Sequence, residues 1–567
     1  MSSPAARMDA RIYRRFVTVG GRQVHYRTAG SGPPVLLLHQ SPRSSAELVP
    51  LIRALAGGFT VLAPDTPGNG LSDPLDVNAP GIADYARATA EFIAALGAGA
   101  LPVYGYHTGA SIACALAAHY PDRVTVAVLN GLAAFDVEEQ QELLARYLPP
   151  FEPQWDGSHL AWLWARLREQ TIFFPWYTKA ASTRMQFTVP APEALTVSVL
   201  DFLRAGDAYR APYGAAFAAD ATSLFASLRV PTFLMATDMD PLRPHLDRLR
   251  PYAPDVARVE PLGSDPALLP ARLTEIFSAH AGDRVAPPEP PVFGALRRRL
   301  ARGFLGLPAG DIHLIGNLDG RGRPVVLLHD FHEDAAVLRD IAAGLADARP
   351  VVALDLPGFG ESDPLPAAEP RRVGAYADRV AAALTELQLE SCDLLGVGLG
   401  SAVAADLCRR YAGVARRCVL VAPLPPGEVA AGEAPLLASD FEPDWAGGHL
   451  LRTWYMCRDR QLFHPWFDRR RERIIAGGHQ LAPARVHRHA VAALKAGVEL
   501  RLGHEAACAF DLDDTLAALG ERAAIGRLHW ERPGVGPADA WRSYPGFALP
   551  AHEQSWGSVL LPFFGQA

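Results

Sequence analysis

Short all-apolar runs alternate with stretches of helical spacing along most of the chain, and the alternation predicts the elements. Residues 35–38 are apolar at every position, as in a strand buried on both faces. Residues 60–63, 101–104, 124–129, 231–236 and 256–261 read as further strands. Between them, 44–55, 82–96, 109–120 and 267–280 carry apolar residues at helical spacing, which predicts helices with one buried face. Residues 16–19 and 23–28 flank Gly20-Gly21 as a hairpin. Strand and helix in alternation predict an α/β fold: a mostly parallel, twisted sheet with helices on both faces. In such sheets the working crevice lies at the carboxyl ends of the strands.

The pattern is written twice, with a period of about 290 residues. Val35-Leu36-Leu37-Leu38-His39 recurs as Val325-Val326-Leu327-Leu328-His329. Asp65-Thr66-Pro67-Gly68-Asn69-Gly70 recurs as Asp355-Leu356-Pro357-Gly358-Phe359-Gly360. A repeat this long is a duplicated domain. The first copy is expected at 1–280, with an inserted segment at about 133–222. The second is expected at 293–567, with the matching insertion at about 425–510. Between them, Pro287, Pro288, Pro290 and Pro291 rule out helix and central strand, so 281–292 reads as a stiff linker. The two copies are expected to pack as an intramolecular pseudo-dimer.

The 567 residues exceed one ordinary core, which agrees with two domains. A net charge of −7 without a basic patch argues against a nucleic-acid partner. Six scattered cysteines without a CxxC pair argue against a disulfide framework or a zinc site, and fit a reducing cytoplasm. No apolar run reaches membrane-spanning length, and the basic residues of 1–15 precede no apolar stretch of a secretory signal. No membrane partner, cofactor or metal is expected; a small-molecule substrate is.

The candidate chemistry centres on Gly105-Tyr106-His107-Thr108-Gly109. An apolar strand, Gly-x-centre-x-Gly and then small residues opening a helix form a nucleophile elbow, a turn that thrusts its central residue out of the sheet. The centre is expected to be Ser, Asp or Cys, and here it is His107. In the second copy, Gly396-Val397-Gly398-Leu399-Gly400, the centre has no side chain.

The ordered set of His39-Gln40-Ser41-Pro42, Asp65-x-Pro67-Gly68-x-Gly70-x-Ser72-Asp73, the elbow and Thr237-Asp238-Met239-Asp240 resembles the α/β-hydrolase fold superfamily. The resemblance covers nearly the whole chain, in both copies. It implies that His107 occupies the nucleophile position and that Asp240 is the acid, with Asp136 as runner-up. It implies an oxyanion hole from the backbone N–H groups of Thr108 and Ser41, beside Gln40. The superfamily's histidine loop, 261–266 here, contains none; in the second copy His552 has no nucleophile to activate. The second copy is therefore read as noncatalytic. A helical cap is implied where both copies carry matching aromatics. There Trp155, His159, Trp164 and Arg168 are the substrate or cap candidates, with Ser158 as helix N-cap. Trp164 and Arg168, four apart on one helical face, could stack and bind an anionic or carbonyl group, or fix the cap as packing. His159 is equally a cleft residue or a capping one.

Three roles for His107 stand open: general base oriented by Asp240, nucleophile, or inert residue of a binding protein. Ser41, Ser44 and Thr108 are weaker candidate nucleophiles. The expected function is cofactor-independent hydrolysis of a small, partly apolar ester, thioester, amide or C–C substrate with His107 as base. The alternatives are a lyase or cyclase on the same site, or a ligand-binding pseudoenzyme.

Overall fold

Two eight-stranded sheets with the same strand order organise the chain. The computed structural model describes residues 11–282, 300–423, 442–475, 480–528 and 544–565. Most of the expected linker at 281–292, and the start of the expected second cap, lie outside these. The chain divides into two compact units, Met1–Glu152 with Trp162–Gly294, and Pro153–Ala161 with Ala295–Ala567.

In the first unit the strands are β1 (Tyr13–Val19), β2 (Arg22–Ala29), β3 (Pro34–Leu38), β4 (Thr60–Pro64), β5 (Leu101–Tyr106), β6 (Val124–Asn130), β7 (Thr232–Met235) and β8 (Ala257–Val259), ordered β1-β2-β4-β3-β5-β6-β7-β8. The β1–β2 and β2–β4 pairs are antiparallel and the rest parallel. Because side chains alternate across a strand, each strand supplies two cores. Leu36, Leu38, Val103 and Leu129 meet the helices Ile82–Ala95 and Thr108–His119 on one face. Val35, Leu37, Tyr104 and Val128 meet the helices Val49–Leu55 and Leu268–Ala279 on the other.

Two expected elements differ. The helix at 44–55 begins as a tight 3-10 turn, Ser45–Leu48, and becomes α-helical only at Val49–Leu55. Pro50 has no N–H to give to the preceding turn, so it must stand in the first turn of the α segment. The last strand shrinks from 256–261 to the three residues of β8.

The second unit repeats the plan. Its strands are β9 (Ala301–Leu307), β10 (Gly310–Asn317), β11 (Val325–Leu328), β12 (Val351–Leu354), β13 (Cys392–Val397), β14 (Ala415–Val421), β15 (Ala523–Leu528) and β16 (Gly546–Leu549). Here too only the first two pairings, β9–β10 and β10–β12, are antiparallel. The chain is thus two tandem α/β domains, each a mostly parallel sheet flanked by helices, with helices inserted after the sixth strand.

A buried carboxylate explains the repeated Asp-x-Pro-Gly-x-Gly motif. Asp65 Oδ1 accepts the Ser45 amide at 2.8 Å, while Oδ2 accepts the Leu71 amide and contacts His25 Nδ1, both also at 2.8 Å. A Cβ on Gly70, at φ +54°, would lie 2.1 Å from Asp65 Oδ2. Asp355 repeats the set with Ala335, Glu361, His313 and Gly360. One carboxylate therefore ties the β2 strand to two loops at the carboxyl end of the sheet.

This pair makes stability depend on pH. Burial, aided by the charges of Arg27 and Arg14, outweighs Asp65 and holds His25 below its ordinary 6.5. Burial alone would raise Asp65, but His25 and the Ser45 contact hold it below its ordinary 3.8. In both cases the unfolded chain binds protons at higher pH than the folded one, so stability falls on acidification. The loss begins below 6.5 through His25 and continues below 3.8 through Asp65. Urea midpoints of the first unit's transition are expected to fall from about pH 6.5 to about pH 4, and His25→Gln is expected to flatten that slope. An equally steep slope in the variant would remove His25 from the account.

Candidate active site

The strand β5 turns into the helix Thr108–His119 through a single residue, His107, at φ +49° and ψ −108°. A non-glycine residue held at positive φ costs about 1–3 kcal/mol and persists only where its surroundings fix it. His107 N donates to Asn130 O at 2.9 Å, and Ser111 N donates to His107 O at 3.0 Å. A Cβ on Gly105 would stand 2.1 Å from Gly109 O, and one on Gly109 would stand 2.3 Å from Leu38 O. The two glycines of the motif are thus dictated by backbone packed on backbone.

The turn delivers the His107 ring to Asp240, in the loop after β7. His107 Nε2 lies 2.9 Å from Asp240 Oδ2 and 3.1 Å from Oδ1. Asp240 is buried, and its Oδ1 also accepts the Leu242 amide at 2.8 Å. Burial would raise its pKa, but the His107 ring, the Leu242 amide and His245 reverse this, and the carboxyl lies below its ordinary value. An ionised carboxylate accepts only, so Nε2 carries the proton it donates and Nδ1 keeps the lone pair. Nδ1 has no hydrogen-bond partner among the described residues. Tyr106 packs on the ring, centroid to centroid 4.0 Å.

His107 lines a cavity of about 380 Å³. Its other polar contributors include Gln40, Ser41, Thr108 and Gln170, while Phe135, Tyr147, Leu167, Phe174, Phe187 and Phe217 make most of its walls apolar. Arg43 also borders it, but pairs with Asp201 at 3.0 Å. Gln40 is fixed by donating from its amide and Nε2 to the half-buried Glu47, at 2.9 and 3.1 Å. The backbone N–H groups of Ser41 and Thr108 have no acceptor among the described residues. Ser41 Oγ accepts from Asn69 at 3.2 Å and Ser44 Oγ donates to Asp201 at 2.9 Å, so both hydroxyls are engaged in structure.

Four cap candidates do not reach the cavity. Trp155 is 70% exposed. His159 is buried, its Nδ1 accepts the Gln154 amide at 3.0 Å, and its segment groups with the second unit. Its capping of a local turn recurs at His449, which accepts the Asp444 amide. Trp164 is buried, and the Arg168 guanidinium does not stack on it but lies 3.7 Å from Glu169. The helix Ser158–Gln170 turns Leu167 and Gln170 toward the cavity instead. Ser158 is the first helical residue rather than the cap, and its amide donates to Asp156 at 3.0 Å. Asp136, the alternative acid, instead caps the helix Val137–Arg146 by accepting the Glu139 amide.

Sequence reasoning missed two residues. Gly131, at φ +67°, follows β6 and packs against the pair: a Cβ there would meet His107 Cδ2 at 2.4 Å and Asp240 Oδ2 at 3.0 Å. A glycine after an apolar strand is the signal available, and it is a weak one. Arg166, 1% exposed, lies within 5.4–5.7 Å of the rings of Tyr147, Trp176, Phe202 and Tyr209 and donates to Gln170 Oε1 at 2.8 Å. Its aromatic partners are dispersed along the sequence, so no local motif announces it.

The second unit has the same turn with other contents. Gly398 stands at φ +54° between β13 and the helix Leu399–Arg410. The residue in Gln40's place, Asp330, puts its carboxylate where an elbow side chain would stand: a Cβ on Gly398 would lie 1.9 Å from Asp330 Oδ1. That oxygen accepts the Phe331 amide at 2.8 Å and the Leu399 amide at 3.0 Å. These are the counterparts of the Ser41 and Thr108 amides. Burial would raise Asp330, but His332, Arg460 and the Leu399 amide hold it well below the usual carboxylate range. His552 is exposed, in the loop after β16.

A family model described as the alpha/beta hydrolase fold matches residues 33–265 and 323–452, and the chain belongs to that family. A soluble epoxide hydrolase of Corynebacterium sp. (strain C12) is 38% identical over 109 residues, 19% of this chain and 37% of that protein. Haloalkane dehalogenase 2 of Mycobacterium bovis is 37% identical over 126 residues, 22% of this chain and 44% of that protein. A 2-(acetamidomethylene)succinate hydrolase of Mesorhizobium japonicum is 34% identical over 139 residues, 24% of this chain and 49% of that protein. The chain thus spans about a third to a half of the length of these curated relatives. The crystal structure of E-2-(acetamidomethylene)succinate hydrolase aligns with 47% of this chain and 100% of its own, at 23% identity and a TM-score of 0.37. No helix among the described residues is long and apolar enough to cross a membrane.

Gly131→Ala is expected to lower the first unit's unfolding free energy by about 1–3 kcal/mol, from positive φ and overpacking together; an unchanged denaturation midpoint would mean that the His107–Asp240 pair moves freely. Gly398→Ser is expected to destabilise the second unit's transition and to leave the cavity of the first unchanged in ligand affinity. A neutral midpoint would show that Asp330 leaves the elbow without cost.

Proposed function

We propose that the first unit is a cofactor-independent hydrolase in which the His107–Asp240 pair acts as general base. The observation that carries this reading is the 2.9 Å contact of His107 Nε2 with a buried carboxylate, on a ring that borders a cavity of about 380 Å³. Likeness to relatives named as hydrolases supports the reaction class.

In this reading Asp240 fixes the tautomer and stabilises the imidazolium that forms, while Nδ1 removes a proton from water bound in the cavity. The resulting hydroxide adds to the substrate's carbonyl carbon. The amides of Ser41 and Thr108 stabilise the oxyanion, a task worth about 2.7–4 kcal/mol per donor at other enzymes. The imidazolium then returns its proton to the leaving group. Backbone donors survive replacement of the elbow residue, so the site keeps its electrostatics without a covalent nucleophile. The apolar walls, and a bordering arginine already paired with Asp201, favour a small, largely uncharged ester, thioester, amide or C–C substrate.

Asp240→Asn places an amide against Nε2. If that amide donates, the proton moves to Nδ1 and the base nitrogen is lost. The expected result is a fall in kcat of about 10³–10⁴-fold with little change in KM, by analogy with the acid of a catalytic triad. His107→Ala should fall at least as far. The measurement is turnover on a panel of esters, thioesters and amides, with products analysed after reaction in ¹⁸O-labelled water. Unchanged turnover in both variants would sink the proposal; turnover that incorporates no label would move the chemistry to proton abstraction by a lyase or cyclase.

A further inference from the structure

Three side chains of the second unit, one of them the His332 that faces Asp330, converge on one point. His332 and Glu333 sit in the loop after β11, and His489 on the helix Pro483–Ala496. By the internal repeat they replace Pro42, Arg43 and Ser198, all of which border the first unit's cavity. One ligand atom from each lies within 4.8 Å of the others. Both imidazoles are buried, with ring centroids 6.1 Å apart and planes at 23°.

The cluster's own contacts do not satisfy it. His332 Nδ1 is buried without a hydrogen-bond partner: Asp330 Oδ2 is 3.0 Å away but out of line. Glu333 Oε1 stands 3.7 Å from His489 Nδ1, beyond hydrogen-bond reach. Glu333 Oε2 accepts the Asp330 amide at 3.4 Å, so His332 Nδ1 is the unmet atom of the cluster, and a buried polar atom without a hydrogen bond is costly. Asp330 does not supply it, since it is engaged by two amides and by Arg460 at 3.3 Å.

We propose that His332, Glu333 and His489 bind a divalent transition-metal ion of the zinc class. Two imidazoles and a carboxylate are a common donor set for such ions, with a fourth position left for water. Donors at about 2.0–2.2 Å from an ion stand roughly 3.3–3.6 Å apart in a tetrahedron, so side chains whose ligand atoms lie within 4.8 Å need close by about 1.5 Å at most. The cysteine spacing could not reveal such a site: its donors are histidines and a glutamate, with His489 far along the chain from the other two. The ion would sit in the domain whose elbow has no side chain, at positions the first unit uses to border its cavity.

The test uses the full-length protein, stripped with chelator and then freed of it. Zinc chloride is titrated by calorimetry and cobalt chloride by visible absorption. The expected result is one tight equivalent per chain, with cobalt bands of a four- or five-coordinate site. His489→Gln and Glu333→Gln should each weaken binding at least about tenfold while leaving turnover dependent on His107 unchanged. His332→Ala/His489→Ala should abolish the cobalt bands, with folding of each variant checked by circular dichroism. Wild-type protein that takes up no ion, or glutamine variants that bind as tightly as wild type, would overturn the proposal. Loss of turnover in the unit-1 variants bears on the hydrolase reading alone, because no metal ligand belongs to that unit.

Discussion

The site in each unit depends on one crowded turn. Where the fifth strand of a sheet meets the following helix, the flanking glycines pack backbone against backbone at distances no side chain could enter. The central residue is forced to positive φ, at +49° for His107 and +54° for Gly398. Its side-chain direction then points away from the sheet, and the first amide of the helix points into the same space. The surrounding residues decide whether that space is a cavity or is filled.

In the first unit the space is kept open by small choices at distant positions. Gly131 leaves room for the imidazole, and Leu242 and the burial of Asp240 hold the carboxylate to which the ring is anchored. Gln40 is drawn aside onto Glu47, so the Ser41 and Thr108 amides keep no internal acceptor among the described residues. Each of these would be unremarkable in isolation. Together they leave donors aimed at a cavity, the condition for stabilising charge as it develops.

Much of this was legible from residue order. The alternation of apolar runs gives the sheet, and the long repeat gives its duplication. The elbow glycines and the aspartate after β7 give the location of His107 and its partner Asp240. The cap was less legible. Trp155, His159, Trp164 and Arg168 stand out because aromatics and charges attract attention, but none of them borders the cavity, and His159 caps a turn as His449 does in the second copy. The face toward the cavity is made by Leu167 and Gln170 on the same helix, a rotation that an unanchored helical pattern does not specify. Arg166 and Gly131 were invisible for the complementary reason: one is caged by rings scattered along the sequence, and the other matters for the side chain it lacks.

The second unit shows how little must change to convert an open elbow into a closed one. Replacing the glutamine by the shorter, charged Asp330 brings a carboxylate onto the two amides. Once the carboxylate stands there, a Cβ at the turn has no room, and glycine becomes necessary rather than merely tolerated. The absent nucleophile and the occupied amides are therefore one structural event. The duplicated turn remains because the sheet and helix pack through its glycines, whatever stands at the tip. In the first unit, where Gln40 is held back by Glu47, the same backbone can carry an imidazole; the Gln40–Glu47 contact is thus as much a condition for His107's exposure to the cavity as the elbow itself.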